Sequence, residues 1–134
     1  MPPFPPDVFD RESLLKTLGI ELVELGADRV VATMPVTPQL HQPYGYLHGG
    51  ASLALAETVA SIGGALNAPE KLVFGLEINA NHVRPKRDGA LRATATPIHR
   101  GKTTHVWDIR IVDEEEHLVC ISRCTLALVD QKDR

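Results

Sequence analysis

Between residues 42 and 61 the chain gathers side chains that could act on a carbonyl group: Gln42, His48, Gly49, Gly50, Glu57 and Ser61. His48 stands before two glycines that open a long run of small and apolar residues. The first N–H groups of a helix have no internal partner and together carry about half a positive charge. Glycine at such a place lets a ligand approach the backbone closely. That arrangement suits a carbonyl oxygen becoming an oxyanion, as in acyl transfer. Close packing alone would also explain Gly49 and Gly50, and spacing leaves both explanations open.

Glu57 is the only ionisable residue among the eighteen from 49 to 66. A buried carboxylate is pushed toward its neutral form unless it is paired. A lone core glutamate is seldom structural without an arginine or lysine partner. Two roles follow for Glu57: an ion pair with an arginine from a strand, Arg84 or Arg123, or a nucleophile or general base. At helical spacing its face carries Gly50, Leu53, Ala54, Ala60, Ser61 and Gly64. Apart from Leu53 these are small, leaving room above the carboxylate, and Ser61 lies one turn on, within hydrogen-bond reach.

The elements that must position these groups follow from periodicity. Residues 1–9 are proline-rich and read as a flexible tail before a single domain spanning 10–130. Asp10 is expected as an N-cap, with Glu12 in the first turn and Gly19 as the stop of a short helix. Ile20–Leu25 and Arg29–Val36 form a hairpin through Gly26-Ala-Asp28. Thr37–Leu47, with Pro38, Pro43 and Gly45, is a loop, and a helix runs from Gly49 to Leu66 until Asn67-Ala-Pro69 ends it. Leu72–Val83, Ala90–Ile98, the alternation at Trp107, Ile109 and Ile111, and that at Leu118, Cys120, Ser122, Cys124, Leu126 and Leu128 give four further strands. An antiparallel sheet around one apolar helix is the α+β arrangement this implies.

Composition narrows the function classes. A chain of 134 residues is one domain's worth and cannot hold a two-domain enzyme. A net charge of -3 argues against a dedicated nucleic-acid binder. The eighteen-residue apolar run is diluted by glycines and hydroxyls and interrupted by Glu57, so a soluble core helix is expected rather than a membrane span. The start of the chain has no basic or apolar run of a signal peptide. Cys120 and Cys124, four residues apart on one strand, would stand roughly 13 Å apart, too far for a disulfide. A cytoplasmic protein with reduced thiols is the expectation.

The segment Gln42–Ser61, with Gly75–Arg84 (Gly-Leu-Glu-Ile-Asn-Ala-Asn-His-Val-Arg) and Ser122–Thr125, resembles the hot-dog fold acyl-CoA thioesterases. The likeness spans about Leu15 to Leu128 and is strongest to the branch that acts on 4-hydroxybenzoyl-CoA, phenylacetyl-CoA-pathway and 1,4-dihydroxy-2-naphthoyl-CoA thioesters. It implies a sheet wrapped around one central helix and hydrolysis of an acyl-CoA to free acid and CoA. By the same resemblance, Glu57 is the nucleophile or general base and the Gly49 N–H polarises the thioester oxygen. Gln42 and His48 orient the acyl group, and Ser61 holds the attacking water or product carboxylate. For the CoA arm the resemblance points to Gly75, His82, Val83, Arg84, Pro85 and the turn His99, Arg100, Gly101, Lys102, Thr103, Thr104. It implies no cofactor, CoA being part of the substrate, and a homodimer assembling to a homotetramer with the active site between subunits. Tyr44 and Tyr46 depart from the Phe and Leu of the branch, which leaves the acyl group open.

Rival chemistries find less support. Six histidines are scattered without His-Glu-x-x-His or Cys-x-x-Cys spacing, so no metal is expected. There is no Gly-x-Ser-x-Gly elbow for a serine hydrolase. A non-catalytic acyl-CoA-binding module would keep the Arg84 and Thr103-Thr104 side but would not need Glu57. Thioesterases for phenylacetyl or medium-chain aliphatic groups remain alternatives. With only six aromatic residues, one copy cannot line a large pocket with its own rings, so a partner is expected to supply walls.

Overall fold

In the computed structural model, which describes residues 4, 5 and 7–131, each alternating stretch becomes a strand. Two short elements lead in: a 3-10 turn at Val8–Asp10 and helix α1 at Leu14–Leu18. Strands β1 (Glu21–Leu25) and β2 (Val30–Pro35) form the expected hairpin. A second 3-10 turn, Pro38–Leu40, sits in the loop before helix α2 (Gly49–Asn67). Strands β3 (Lys71–His82), β4 (Ala90–Arg100), β5 (Thr104–Val112) and β6 (Leu118–Asp130) complete the chain. The sheet order is β1-β2-β4-β5-β6-β3, with all neighbours antiparallel. Helix α2 therefore carries the chain across the inner face, and β3 becomes the edge opposite β1.

The start of the chain differs from expectation. Ser13, not Asp10, precedes α1, and Asp10 instead ends the 3-10 turn. Gly19 does close α1, in the left-handed region at φ 75°. The expected tail, 1–9, is only partly described, residues 1–3 and 6 lying outside the described residues. Within it Phe4 and Phe9 meet edge to face at 5.3 Å and rest against the core. Two rings close in sequence bury apolar area that a proline-rich composition conceals.

Small residues decide how closely α2 approaches the sheet. Leu55, Ala56, Val59 and Ala60 are fully buried on it, facing Trp107, Ile109 and Leu126, all inaccessible. A Cβ at Gly63 would overlap the Trp107 ring, with Cζ3 at 2.7 Å, and one at Gly64 would meet Leu126 Cδ1 at 2.7 Å. The helix is long and apolar enough to cross a membrane by length and composition, yet half of that window is buried against the sheet. Trp107 Nε1–H donates to His105 Nδ1 at 3.2 Å, satisfying the one polar atom of a ring at the centre of the core. Burial, and then the charges of Arg100 and His99, hold His105 below its usual imidazole value, so it serves as the neutral acceptor there. Cys120 and Cys124 are free and buried on the same inward face.

Candidate active site

The start of α2 is built as its sequence dictates. His48 takes the N-cap position, and its Nδ1 accepts the Gly50 N–H at 2.8 Å. An accepting Nδ1 places the ring proton on Nε2, leaving that donor free to point outward. The Gly49 N–H makes no hydrogen bond among the described residues. Beside it lies the His82 ring, whose Cε1 is 3.0 Å from where a Gly49 Cβ would stand. Gln42 is fixed by its own turn: its Oε1 accepts from the Tyr44 N–H at 2.6 Å and the Tyr46 N–H at 3.3 Å. Its amide nitrogen is left unengaged among the described residues. Gln42, Gly49, His82, Val83, Arg84 and Pro85 all line one cleft of about 450 Å³.

Glu57 opens elsewhere, into a cavity of about 530 Å³ lined by Gly50, Leu53, Ala54, Thr58, Ser61 and the α1 leucines Leu14 and Leu15. Among the described residues Glu57 takes part in no ion pair. The structural explanation, a partnership with Arg84 or Arg123, is thus not realised within the chain. Of the face anticipated at helical spacing, Gly50, Leu53, Ala54 and Ser61 line this cavity, whereas Ala60 and Gly64 turn into the core. The carboxylate rests over Gly75 of β3, at a bulge between Gly75 and Glu77.

Helix geometry separates the two groups. Eight residues from Gly49 to Glu57 are about 12 Å along the axis and about 80° around it. An oxyanion donor and an attacking group must each come within about 3 Å of one carbonyl. On one copy of α2 the two backbone positions stand farther apart than that.

The turn 99–104 lies at the other end of α2, roughly 28 Å from Gly49 by helix length. Arg100 is committed to the fold there, donating to Asp28 Oδ1 at 2.7 Å and Asn67 Oδ1 at 3.2 Å. Gly101 makes the turn tight, its N–H reaching the Thr104 carbonyl at 2.8 Å. Arg100, Gly101, Lys102 and Lys71 edge a separate crevice of about 270 Å³. Within one chain, then, His82, Val83, Arg84 and Pro85 are brought to Gly49, and His99–Thr104 are not.

Several residues at the cleft carry no motif. Tyr46, Leu47, Ser52 and Val119 line it with Lys86, whose ammonium pairs with Glu114. Arg87 sits over the Tyr46 ring at 5.0 Å, and its backbone carbonyl accepts the His41 Nε2–H at 2.7 Å. Only the tyrosine's position in the Gln42–His48 loop hinted at this. Burial disfavours the reactive thiolate at both cysteines, and burial, followed by the charges of Glu57 and Glu77, pushes the Cys124 thiol up to about 12. Among the described residues no three His, Cys, Asp or Glu side chains gather where they could hold a metal ion.

The chain is similar to known proteins over most of its length. The thioesterase superfamily pattern matches residues 44–120. A 1,4-dihydroxy-2-naphthoyl-CoA hydrolase of Listeria monocytogenes is 54% identical over 116 residues, covering 86% of this chain and 94% of that one. The Escherichia coli protein of the same name is 48% identical over 113 residues, 84% of this chain and 83% of that one. Among solved structures, a thioesterase from Haemophilus influenzae superposes with a TM-score of 0.84 at 50% identity, covering 88% of this chain and 83% of that one. A six-stranded antiparallel sheet across one long helix, matched in sequence and in three dimensions, shows that the chain belongs to the thioesterase superfamily of hot-dog hydrolases.

Proposed function

We propose that this member hydrolyses an aromatic acyl-CoA of the hydroxybenzoyl or dihydroxynaphthoyl type, at a site completed by a second copy of the chain. The observation that carries the reading is Glu57: a carboxylate with no counter-ion among the described residues, opening into a cavity on the helix whose first N–H is free. The thioester oxygen would accept the Gly49 N–H, with Gln42 and His48 orienting the acyl group. Glu57 of the other copy would take a proton from the attacking water, or attack the carbonyl itself, with Ser61 holding water or product. On the general-base route the C–S bond breaks as the proton taken from water passes to the leaving thiolate, giving free acid and CoA. On the nucleophilic route C–S cleavage releases CoA and leaves a Glu57 acyl anhydride, which water then hydrolyses to free acid, and neither route requires a cofactor. The dihydroxynaphthoyl-CoA hydrolases among its relatives support the aromatic acyl group.

The geometry of the sheet edge supports an assembly of two copies. Strand β3 is a twelve-residue edge, and Phe74 and Leu76 on it are 55% and 61% exposed. Pairing β3 with a second β3 about a two-fold axis covers that edge. It also lays the His82 end of one strand beside the Lys71 end of the other. His82 and Arg84 from one copy and the Lys71–Lys102 corner from the other would then meet on one CoA arm. Ile98, 54% exposed on β4, supports a further contact that joins two dimers into a tetramer. Both cysteines being free supports a reducing, cytoplasmic setting.

The test is free-thiol release from a panel of aromatic and aliphatic acyl-CoAs by the wild type and Glu57→Ala. The reading expects the highest kcat/KM on hydroxylated aromatic groups and near-complete loss in Glu57→Ala with the fold retained. Turnover within a few-fold of wild type in that variant would sink the assignment of Glu57. A preference for phenylacetyl or medium-chain aliphatic thioesters would overturn the acyl group.

A further inference from the structure

We propose that Gly75 is a positioning residue: its bare backbone at the β3 bulge is the seat that aims the Glu57 carboxylate, by shape rather than by charge. The inference rests on the reading of Glu57 as the group that acts on the thioester.

A glycine inside a strand weakens it and calls for a reason. Conformational freedom is not the reason, since the glycines with positive φ are Gly19, Gly45 and Gly89. Space is. A Cβ on Gly75 would stand 2.5 Å from Glu57 Oε2, 2.8 Å from Cδ and 3.3 Å from Cγ. The volume any other side chain would fill is the volume the carboxylate occupies.

The surrounding strand geometry serves the same end. Gly75 pairs with Leu126 and Glu77 with Thr125, so Leu76 is the extra residue of a bulge. Bulges locally bend a strand and commonly lie next to active sites. Cys124, whose thiol burial and then the charges of Glu57 and Glu77 push up, keeps its proton and adds no charge beside the carboxylate. Among the described residues no lysine or arginine pairs with Glu57. An ion pair would fix the carboxylate equally well but would lower its basicity. A steric seat fixes it and leaves its lone pairs for water or the carbonyl.

The clash meets only the far end of a flexible side chain, so Gly75→Ala should fold and melt as the wild type does. The displaced carboxylate should cost about 100-fold in kcat, the scale of a 1 Å misplacement, with KM within about threefold. The control is Glu57→Asp, made alone and with Gly75→Ala. Shortening the side chain already pulls the carboxylate off the seat, so the double variant should lose little more than the worse single one. A kcat for Gly75→Ala within threefold of wild type, or two losses that simply multiply in the double variant, overturns the proposal. Crystal structures of wild type and Gly75→Ala separate this from the reading it rests on. If Glu57→Ala keeps full turnover, the role of Glu57 falls. The seat itself stands if the carboxylate moves in Gly75→Ala, and is overturned if it stays in place beside the new methyl group.

Discussion

Replacing Gly49 by proline removes one hydrogen-bond donor and little else. Gly49 is the first residue of α2, where proline is well tolerated because that N–H has no intrahelical partner. The preceding residue must be extended, and His48 already is, at φ -67° and ψ 133°. The added Cβ approaches His82 Cε1 at 3.0 Å, but His82 is exposed and can yield a few tenths of an ångström. Gly49→Ala places a Cβ at the same point and keeps the N–H, so the ratio of the two variants isolates the donor. One donor to a developing oxyanion contributes about 2.7–4 kcal/mol, which at 1.36 kcal/mol per decade is about 10²–10³ in kcat. Alanine should cost no more than a few-fold. Free-thiol release from an aromatic acyl-CoA under saturation gives kcat for each variant, and thermal melting checks the fold. A proline variant within threefold of the alanine variant would refute the oxyanion role of the helix start.

If the helix start and Glu57 act from different copies, two dead variants should rescue each other. Mixing Gly49→Pro with Glu57→Ala at equal amounts, under conditions that allow subunit exchange, gives half heterodimers, each with one intact site of two. About a quarter of wild-type turnover should return, and a mixture no more active than its parents would place both groups on one chain. In the core, Gly63→Ala sets helix propensity against packing. Alanine gains about 1 kcal/mol in a helix interior, but its methyl overlaps the inaccessible Trp107 ring, where overpacking costs about 1–3 kcal/mol or more. We expect net destabilisation of about 2 kcal/mol, a fall in Tm of several degrees by calorimetry; a raised Tm would show that the ring can move.

Much of the fold was legible because it rests on local regularities. Period-two alternation marked β5 and β6 down to the inward Cys120, Ser122, Cys124 and Leu126, and the run of small residues from Gly49 marked α2 within one residue of its end. The short helix was misplaced at its start because Asp10 and Ser13 are equivalent cap signals. Neither Asp7 nor Ser13 makes a side-chain cap bond, and Phe4 and Phe9 pack against the core beside these turns, a contact with no local signal in the chain. Arg87 escaped notice for a similar reason, since stacking on Tyr46 joins residues forty-one apart and leaves no pattern in the chain.

For the site, the chain by itself marked the candidates: an unmatched glutamate in an apolar helix, which stands out because an unpaired charge is costly to bury, and a glycine at the helix start. Tertiary structure decided what those groups face. It set Glu57 over Gly75 rather than against an arginine, and it put the His99–Thr104 turn at the far end of α2 from His82 and Arg84. It also turned Gly49 and Glu57 into different cavities. Spacing along a helix fixes angle and rise. Which strand lies across from a side chain depends on sheet order, and β3 reaches the open edge only because α2 carries the chain over the whole inner face.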